Sequence, residues 1–151
     1  MAREEDLEDL LPLMRAYCEF YDVAPTDDAL LAMSRALIAD PEHEGIQLVA
    51  RDGDGAAVGF ATVFWTWQTL SASRAAVMND LFVAEHARGT GLADALIAAC
   101  GVHALAHGAP HLTWQTAKDN LRAQAVYERV GGRRSEWLDY DLPLGRTIQS
   151  E

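Results

Sequence analysis

The sequence predicts an α/β (α+β) fold, in which helices flank a twisted, mixed and mostly antiparallel β-sheet. Two strand-like apolar segments flank an Asp-Gly-Asp-Gly turn at residues 52–55, which indicates a β-hairpin. A further strand then runs into a glycine-rich turn, a helix and another strand. A unit of this kind is normally a right-handed crossover, so a central parallel β-α-β unit is expected.

Two amphipathic helices are predicted before the sheet, at residues 4–21 and 26–39. The first has an apolar stripe at helical spacing, formed by Leu7, Leu10, Leu11, Met14 and Cys18. Pro12 lies inside this helix, where a proline removes a hydrogen bond and tends to cause a kink. Thr26 precedes two aspartates and predicts the N-cap of the second helix, which ends at Asp40 and Pro41.

The rest of the chain alternates between strands and helices. Strands are expected at residues 46–51, 57–66, 75–83, 111–116 and 137–144, and helices at 91–107 and 120–130. Gly131 and Gly132 predict a C-terminal cap for the last helix. No internal repeat or linker is evident, so one domain over residues 1–151 is expected.

Composition narrows the possible functions. The chain has 151 residues and a net charge of -11. Non-specific nucleic-acid binding needs an excess of Lys and Arg, so no nucleic-acid partner is expected. No apolar run is long enough to span a bilayer, and the first residues are acidic rather than signal-like, so we expect a cytoplasmic protein with no membrane partner. The acidity attracts cations, amines included, or serves solubility alone.

The most informative segment is the Arg-Gly-Thr-Gly-Leu-Ala turn at residues 88–93, between a strand and a helix. Glycines let the backbone approach a ligand, and the free N–H groups and dipole of a helix N-terminus favour an anion such as phosphate. A P-loop would need Lys and Ser or Thr after its glycines, and a dinucleotide fingerprint would need a small residue where Asp94 stands. Both motifs fail, so the turn predicts a pyrophosphate site of another class.

Residues 88–93 match the signature Arg/Gln-x-x-Gly-x-Gly/Ala, and here the chain resembles the GNAT superfamily of N-acetyltransferases. Residues 120–131 are similar to the downstream motif of that superfamily, with Asn, Ala, Tyr and Gly at the expected offsets. The resemblance covers about residues 4–144. Within the superfamily, residues 79–83 and 114–120 look most like the diamine and thialysine acetyltransferase branch.

The resemblance implies the GNAT fold and acetyl-CoA as co-substrate, with direct transfer of the acetyl group to an amine. The sequence departs from the family pattern at two places. The usual first edge strand is missing or very short, because the chain enters its first helix almost directly. The aromatic residue that commonly follows the last glycine is replaced by Gly132, Arg133 and Arg134. Both departures concern the substrate end of the fold rather than the cofactor motif.

The resemblance assigns cofactor contacts to three segments. The turn that would donate N–H groups to the pyrophosphate consists of Arg88, Gly89, Thr90, Gly91, Leu92 and Ala93. The backbone of Leu81, Phe82 and Val83 would pair with the pantetheine arm, and the Val83 N–H would polarise the thioester carbonyl. Asn120 is similar to a residue that contacts the cofactor, and it also predicts an N-cap. The Arg88 side chain would contact phosphate or a nearby carboxylate.

Two residues are candidates for proton transfer. Tyr127 falls at the tyrosine position of the family, where a phenol can protonate the departing coenzyme A thiolate. Asp80 is either the general base, or the anchor of a water relay, or a structural carboxylate paired with a backbone N–H or an arginine. Tyr17, Glu19 and Trp114 are candidates for the acceptor pocket; a solvated helix face or core packing would explain them equally.

No metal is expected, because His103 and His107 lie four residues apart without an evident third ligand. The expected acceptor is a small cationic molecule with a primary amine. A protein or peptide amine is the alternative substrate, and a non-catalytic acyl-CoA-binding module is the alternative function. The resemblance also implies a homodimer, to which the aromatic residues Trp137 and Tyr140 could contribute.

Overall fold

A computed structural model describes residues 1–143 of the chain. It begins with a 3₁₀ turn (Glu4–Asp6) and the helices α1 (Leu7–Phe20) and α2 (Asp27–Ala39), followed by strands β1 (Gly45–Arg51), β2 (Ala57–Gln68) and β3 (Ser73–Val83). A second 3₁₀ turn (Glu85–Ala87) leads to α3 (Leu92–Ala106), β4 (Leu112–Thr113) and α4 (Leu121–Arg129). Within residues 1–143, no helix is long and apolar enough to cross a membrane.

The four strands form one sheet in the order β1-β2-β3-β4. The first three are antiparallel, whereas β3 and β4 are parallel and pair only through Ala76 with Leu112 and Val77 with Thr113. This confirms the predicted mixed sheet with one parallel β-α-β unit. Beyond Val77, β3 continues to Val83 with no strand beside it on that edge among the described residues.

Helices cover both faces of the sheet. One face packs against α3 in a cluster that includes Ile46, Leu48, Ala61, Val63, Met78, Leu96, Ile97 and Cys100. The other face packs against α1 and α2 in a cluster of Leu7, Leu10, Leu13, Met14, Leu30 and Phe60. The core therefore has two layers, one on each side of the sheet.

A β-bulge interrupts β3 at Asn79. Thr62 of β2 pairs with Asp80, whereas the next residue, Val63, pairs with Met78, so Asn79 is one residue extra. Side chains alternate along a strand, and one extra residue exchanges the faces of all that follow. The bulge therefore turns Asp80 toward α1 and α2 instead of α3.

The predicted helix ends are confirmed at several places. The Thr26 hydroxyl accepts a hydrogen bond from the backbone N–H of Ala29 at 3.3 Å, so it caps α2. At the end of α4, Gly131 adopts φ +89°, and the Gly132 N–H donates to the Tyr127 carbonyl at 2.8 Å. This pair of glycines forms the expected C-terminal cap.

Two predicted strands are wrong in extent. Instead of a strand at 111–116, β4 has only two residues, and no strand forms at residues 137–143. Residue 144, the last of the predicted strand at 137–144, lies outside the described residues. Trp137 is 86% exposed and Tyr140 is 91% exposed. A strand needs a neighbour that supplies backbone partners, and β4 is too short to offer such an edge.

The start of the chain contacts the sheet through a single backbone bond. The Ala2 N–H donates to the Gln47 carbonyl at 2.7 Å, and among the described residues no strand precedes the first helix. The helix predicted at 4–21 is divided into the 3₁₀ turn and α1, and α1 continues through Pro12. The first edge strand is thus reduced to one hydrogen bond.

Candidate active site

The turn before α3 is held open by its glycines and anchored by two side chains. Gly89 and Gly91 adopt φ +81° and +86°, a left-handed conformation that favours glycine. The Thr90 hydroxyl donates to the Ala87 carbonyl at 2.7 Å. Arg88 Nε donates to the Val83 carbonyl at 2.9 Å. The Nε–H of Arg88 is thus bound to the end of β3, and the predicted contact of its side chain with phosphate or a carboxylate stays a prediction.

The backbone N–H groups of residues 89–93 bind no acceptor in the described part of the chain. Within residues 1–143, no hydrogen bond is made by the N–H groups of Gly89, Thr90, Gly91, Leu92 and Ala93. The first backbone bond of the helix runs from Ala95 N to Gly91 O at 3.0 Å, and α3 has no side-chain cap. Gly89, Thr90 and Gly91 are exposed. The turn thus presents consecutive free donors at the positive end of a helix dipole, which suits an anion.

An ion pair links this turn to α4. Asp94 lies in the first turn of α3, and Arg129 of α4 binds its carboxylate through Nη2 at 2.6 Å and Nε at 3.1 Å. The guanidinium lowers the pKa of Asp94, so the carboxyl stays ionised at neutral pH. A negative charge at this position would oppose a bound anion, and Arg129 neutralises it.

Asp80 is buried on the face that packs against α1. It is 9% exposed, and its Oδ1 accepts a hydrogen bond from Asn79 Nδ2 at 3.0 Å. Burial raises the pKa of Asp80, and hydrogen bonding from Thr62, Tyr17 and Asn79 partly offsets that rise. Among the described residues no arginine or backbone N–H binds this carboxylate. The roles predicted for Asp80, as general base, anchor of a water relay or structural carboxylate, stay predictions.

Tyr17 lies over the bulge from the α1 side. Its hydroxyl donates to the Asn79 carbonyl at 3.5 Å, and its ring meets Tyr21 and Phe60 edge-on, with centroids 5.1 and 5.8 Å apart. Burial, and after it the negative charge of Asp80, raises the pKa of the Tyr17 phenol. Tyr17 therefore stays protonated and remains a hydrogen-bond donor beside the carboxylate.

Tyr127 approaches the same region from α4. Its ring packs edge-on against Trp114, with centroids 5.4 Å apart. Burial raises the pKa of Tyr127, and Tyr21 raises it further. The phenol of Tyr127 is protonated at neutral pH and can donate a proton.

Five other predicted site residues lie elsewhere. Glu19 is exposed and lines a crevice with Arg15, Cys18 and Pro25. Asn120 caps α4, since its Oδ1 accepts from the N–H of Ala123 at 3.1 Å. Leu81, Phe82 and Val83 are half-buried on the last part of β3, along the edge that has no strand partner.

The packing of Trp114 explains one departure from the family pattern. A Cβ atom at Gly132 would lie 3.0 Å from Trp114 Cζ2 and 2.8 Å from the Tyr127 carbonyl oxygen. Any larger side chain at this position would push against both groups. The glycine therefore replaces the family aromatic because Trp114 already fills the space beside Tyr127.

Two further residues of this region, Gln47 and Thr62, are not among those predicted from the sequence. Both are buried, at 3% and 0% exposure, and Gln47 Nε2 donates to Thr62 Oγ1 at 3.2 Å. Each is a polar residue inside an otherwise apolar strand, and this pattern could have identified them, because buried polar side chains are normally hydrogen-bonded to a specific partner. No group of three or more His, Cys, Asp or Glu in residues 1–143 is placed to hold a metal ion.

Comparison with known proteins gives a consistent result. The sequence profile of the acetyltransferase (GNAT) family matches residues 7–132. An uncharacterized N-acetyltransferase, YhfO of Bacillus subtilis (strain 168), is 34% identical over 130 residues, which cover 86% of this chain and 85% of that protein.

Two solved structures are similar in fold. The crystal structure of a probable acetyltransferase has a TM-score of 0.83 at 29% identity, with 97% of each chain covered. The aminoglycoside N-acetyltransferase AAC(6')-Iy, solved in complex with CoA, has a TM-score of 0.81 at 23% identity, with 95% of this chain and 91% of that chain covered. The likeness to the second protein concerns the fold.

Proposed function

We propose that this chain, which belongs to the acetyltransferase (GNAT) family, transfers the acetyl group of acetyl-CoA to the primary amine of a small cationic molecule. Family membership makes it an acyltransferase; the co-substrate and the acceptor are our proposal. The observation that carries the proposal is the run of free N–H groups at residues 89–93. A diphosphate matches such donors in charge and size, and AAC(6')-Iy, of similar fold, is solved with CoA.

The rest of the cofactor would follow the open edge of β3. An extended pantetheine arm can pair, as an added strand would, with those backbone groups of Leu81, Phe82 and Val83 that face the open edge of β3. In this arrangement the Val83 N–H would donate to the thioester oxygen and stabilise the negative charge that develops there. Asn120, at the start of α4, would close the other side of the cofactor.

The chemistry is a direct acetyl transfer. The acceptor ammonium gives a proton to Asp80, and the free amine attacks the thioester carbon to form a tetrahedral intermediate. Its collapse breaks the C–S bond and expels the coenzyme A thiolate, which takes a proton from Tyr127. The nitrogen of the new amide loses its extra proton, which restores the Tyr127 phenol, and Asp80 releases its own proton to solvent. A buried carboxyl with a raised pKa and a protonated phenol suit these two tasks.

The nature of the acceptor is inferred from the groups around Asp80. Among residues 1–143 no cation borders the carboxylate, and the Tyr17 ring beside it packs edge-on against Tyr21. A carboxylate next to an aromatic pair favours an ammonium ion through charge and cation–π attraction. Trp114 supplies further apolar surface beside Tyr127. The net charge of -11 adds a weak attraction for cations.

We also propose a homodimer. The segment after α4 exposes Trp137, Leu138 and Tyr140, which are 86%, 71% and 91% accessible to solvent. A continuous set of exposed apolar side chains is typical of an interaction surface. Light scattering should give twice the 16.5 kDa chain mass, and Trp137→Ser with Tyr140→Ser should return the protein to a monomer.

The catalytic proposal is tested by following free thiol during incubation with acetyl-CoA and a panel of amines. We expect thiol release with small cationic primary amines and none with neutral amides. Tyr127→Phe should lower kcat up to about a hundredfold, the low end for general acid catalysis, because a thiolate is a fair leaving group. If coenzyme A binds in calorimetry and no amine releases thiol, the protein is a binding module instead.

A further inference from the structure

Three polar side chains cross the sheet in a single row beneath α1. Gln47 of β1 pairs with Thr62 of β2, and Thr62 pairs with Asp80 of β3. The three are 3%, 0% and 9% exposed. Directly opposed residues have neighbouring side chains on the same face of a sheet. A buried polar path therefore leads from the first strand to the carboxylate.

The hydrogen bonds along this row have a direction. Gln47 Nε2 donates to Thr62 Oγ1 at 3.2 Å and also approaches Met14 Sδ at 3.7 Å, so the amide group is held from two sides. A threonine hydroxyl has one hydrogen and two lone pairs. With a lone pair bound to Gln47, the hydrogen of Thr62 remains for its other neighbour, the Asp80 carboxylate.

Stability alone does not explain this row. The Oε1 atom of Gln47 is buried and accepts no hydrogen bond from residues 1–143. A buried acceptor without a partner destabilises the fold, whereas an apolar residue at position 47 would bring no such acceptor. The amide of Gln47 is therefore better explained by the hydrogen bond that its Nε2 atom donates to Thr62.

We propose that Thr62, oriented by Gln47, is a positioning residue that holds the buried Asp80 carboxylate ionised and aimed at the acceptor amine. The inference rests on the proposed function, in which Asp80 accepts the proton. The row would thus set the pH above which the enzyme becomes active.

The groups around Asp80 can keep its carboxylate ionised only through hydrogen bonds. The groups that face it are the Tyr17 phenol and the Cys18 thiol from α1, the Thr62 hydroxyl from β2 and the Asn79 amide from its own strand. In the described part of the chain none of these neighbours carries a positive charge. Burial raises the pKa of Asp80, and hydrogen bonding from Thr62 opposes that rise ahead of Tyr17 and Asn79.

The test compares Thr62→Val with Thr62→Ser in the full chain. The valine keeps the shape and removes the donor, and the serine keeps the donor. The carboxyl ¹³C signal of Asp80, assigned by its loss in Asp80→Asn, reports its titration directly. In Thr62→Val we expect the midpoint of this titration to move to higher pH, and in Thr62→Ser to stay near the wild-type midpoint.

The pH profile of kcat/KM provides the second measurement. Its acid limb should move to higher pH in Thr62→Val, with kcat/KM on that limb on the order of tenfold lower, the size of one hydrogen bond to a charged group. Gln47→Leu should move both curves in the same direction by less. Its thermal midpoint should equal or exceed that of the wild type, because the unsatisfied Oε1 atom is gone.

Each outcome decides between the claims. An unchanged Asp80 titration in Thr62→Val overturns the positioning role. A titration that moves while the acid limb of kcat/KM stays in place supports the positioning contact and removes Asp80 from the proposed mechanism. If Thr62→Val fails to fold, Gln47→Leu carries the test alone, and an Asp80 midpoint equal to the wild-type value in that variant overturns the role.

Discussion

The helices α2 and α4 begin with a side-chain cap, whereas α3 begins with a bare glycine. Thr26 and Asn120 each accept a hydrogen bond from the third residue after them, at 3.3 and 3.1 Å. Gly91 has no side chain to offer, and the N–H groups around it bind no acceptor among the described residues. The N-termini of α2, α3 and α4 all lie partly at the surface of the same chain. The difference in capping therefore comes from the residue at each N-cap position.

The difference separates helix ends that stabilise the fold from one that is available to a ligand. Every helix leaves its first N–H groups without internal partners, and a capping side chain satisfies one of them. The open end of α3 gives up this stabilisation and keeps its donors free. Under the proposed function, these donors bind the phosphates of acetyl-CoA.

The largest expected effect comes from closing the open end with charge. Gly91→Glu should weaken acetyl-CoA binding by on the order of a hundredfold or more, because a carboxylate would face the diphosphate and add bulk at the turn. Isothermal titration calorimetry measures the loss. A thermal unfolding curve establishes whether the variant is still folded.

Gly108→Glu is the matched control. Gly108 follows the other end of α3, has φ +80° and, like Gly91, has open space where a Cβ would stand. Both variants therefore carry the same backbone strain and the same added charge. Binding should persist in Gly108→Glu, and an equal loss of affinity in the two variants would mean that the turn at residues 88–93 is not the cofactor site.

A smaller effect is expected at the ion pair beside the open end. Arg129→Gln should weaken acetyl-CoA binding a few-fold, because it leaves the Asp94 charge uncompensated near the phosphates. Asp94→Asn should restore the affinity in the double variant, and the defect of the single variant should shrink in high salt as the charges are screened. A defect that Asp94→Asn does not repair would assign Arg129 a direct or structural role instead.

Much of the fold follows from local sequence. The turn at residues 52–55, the Thr26 cap and the glycine pair after α4 each depend on a few adjacent residues, and the structure has all three where the sequence predicts them. Hydrophobic periodicity is local in the same sense, so the helices and the β1–β2 hairpin were predictable. The family motifs at residues 88–93 and 120–131 then indicated the enzyme class.

Features that depend on distant pairing were not predictable in this way. The segment at 137–143 has the composition of a strand, yet a strand also needs an edge to join, and β4 ends after two residues. The bulge at Asn79 depends on the register between β2 and β3, and it decides which face Asp80 occupies. Likewise, nothing near Arg88 in the sequence indicates that its side chain binds the end of β3.

The smallest effects are expected at the caps of α2 and α4. They test most directly whether a capped helix end serves stability alone or also binds the cofactor. Thr26→Ala should lower the free energy of unfolding by about 1 kcal/mol and leave acetyl-CoA affinity unchanged, since the cap is its only expected task. Asn120→Ala should cost about the same in stability and also weaken binding, because we propose that Asn120 contacts the cofactor. Urea unfolding and calorimetry measure the two quantities separately.

Asn120→Ser distinguishes capping from cofactor contact at α4. Serine caps helices about as well as asparagine, so stability should return to near the wild-type value. A hydroxyl lacks the amide donor and reaches less far, so the binding defect should persist if the side chain contacts the cofactor. Recovery of both stability and affinity would make Asn120 a cap like Thr26, and α3 would then be the one helix end of the three that binds the ligand.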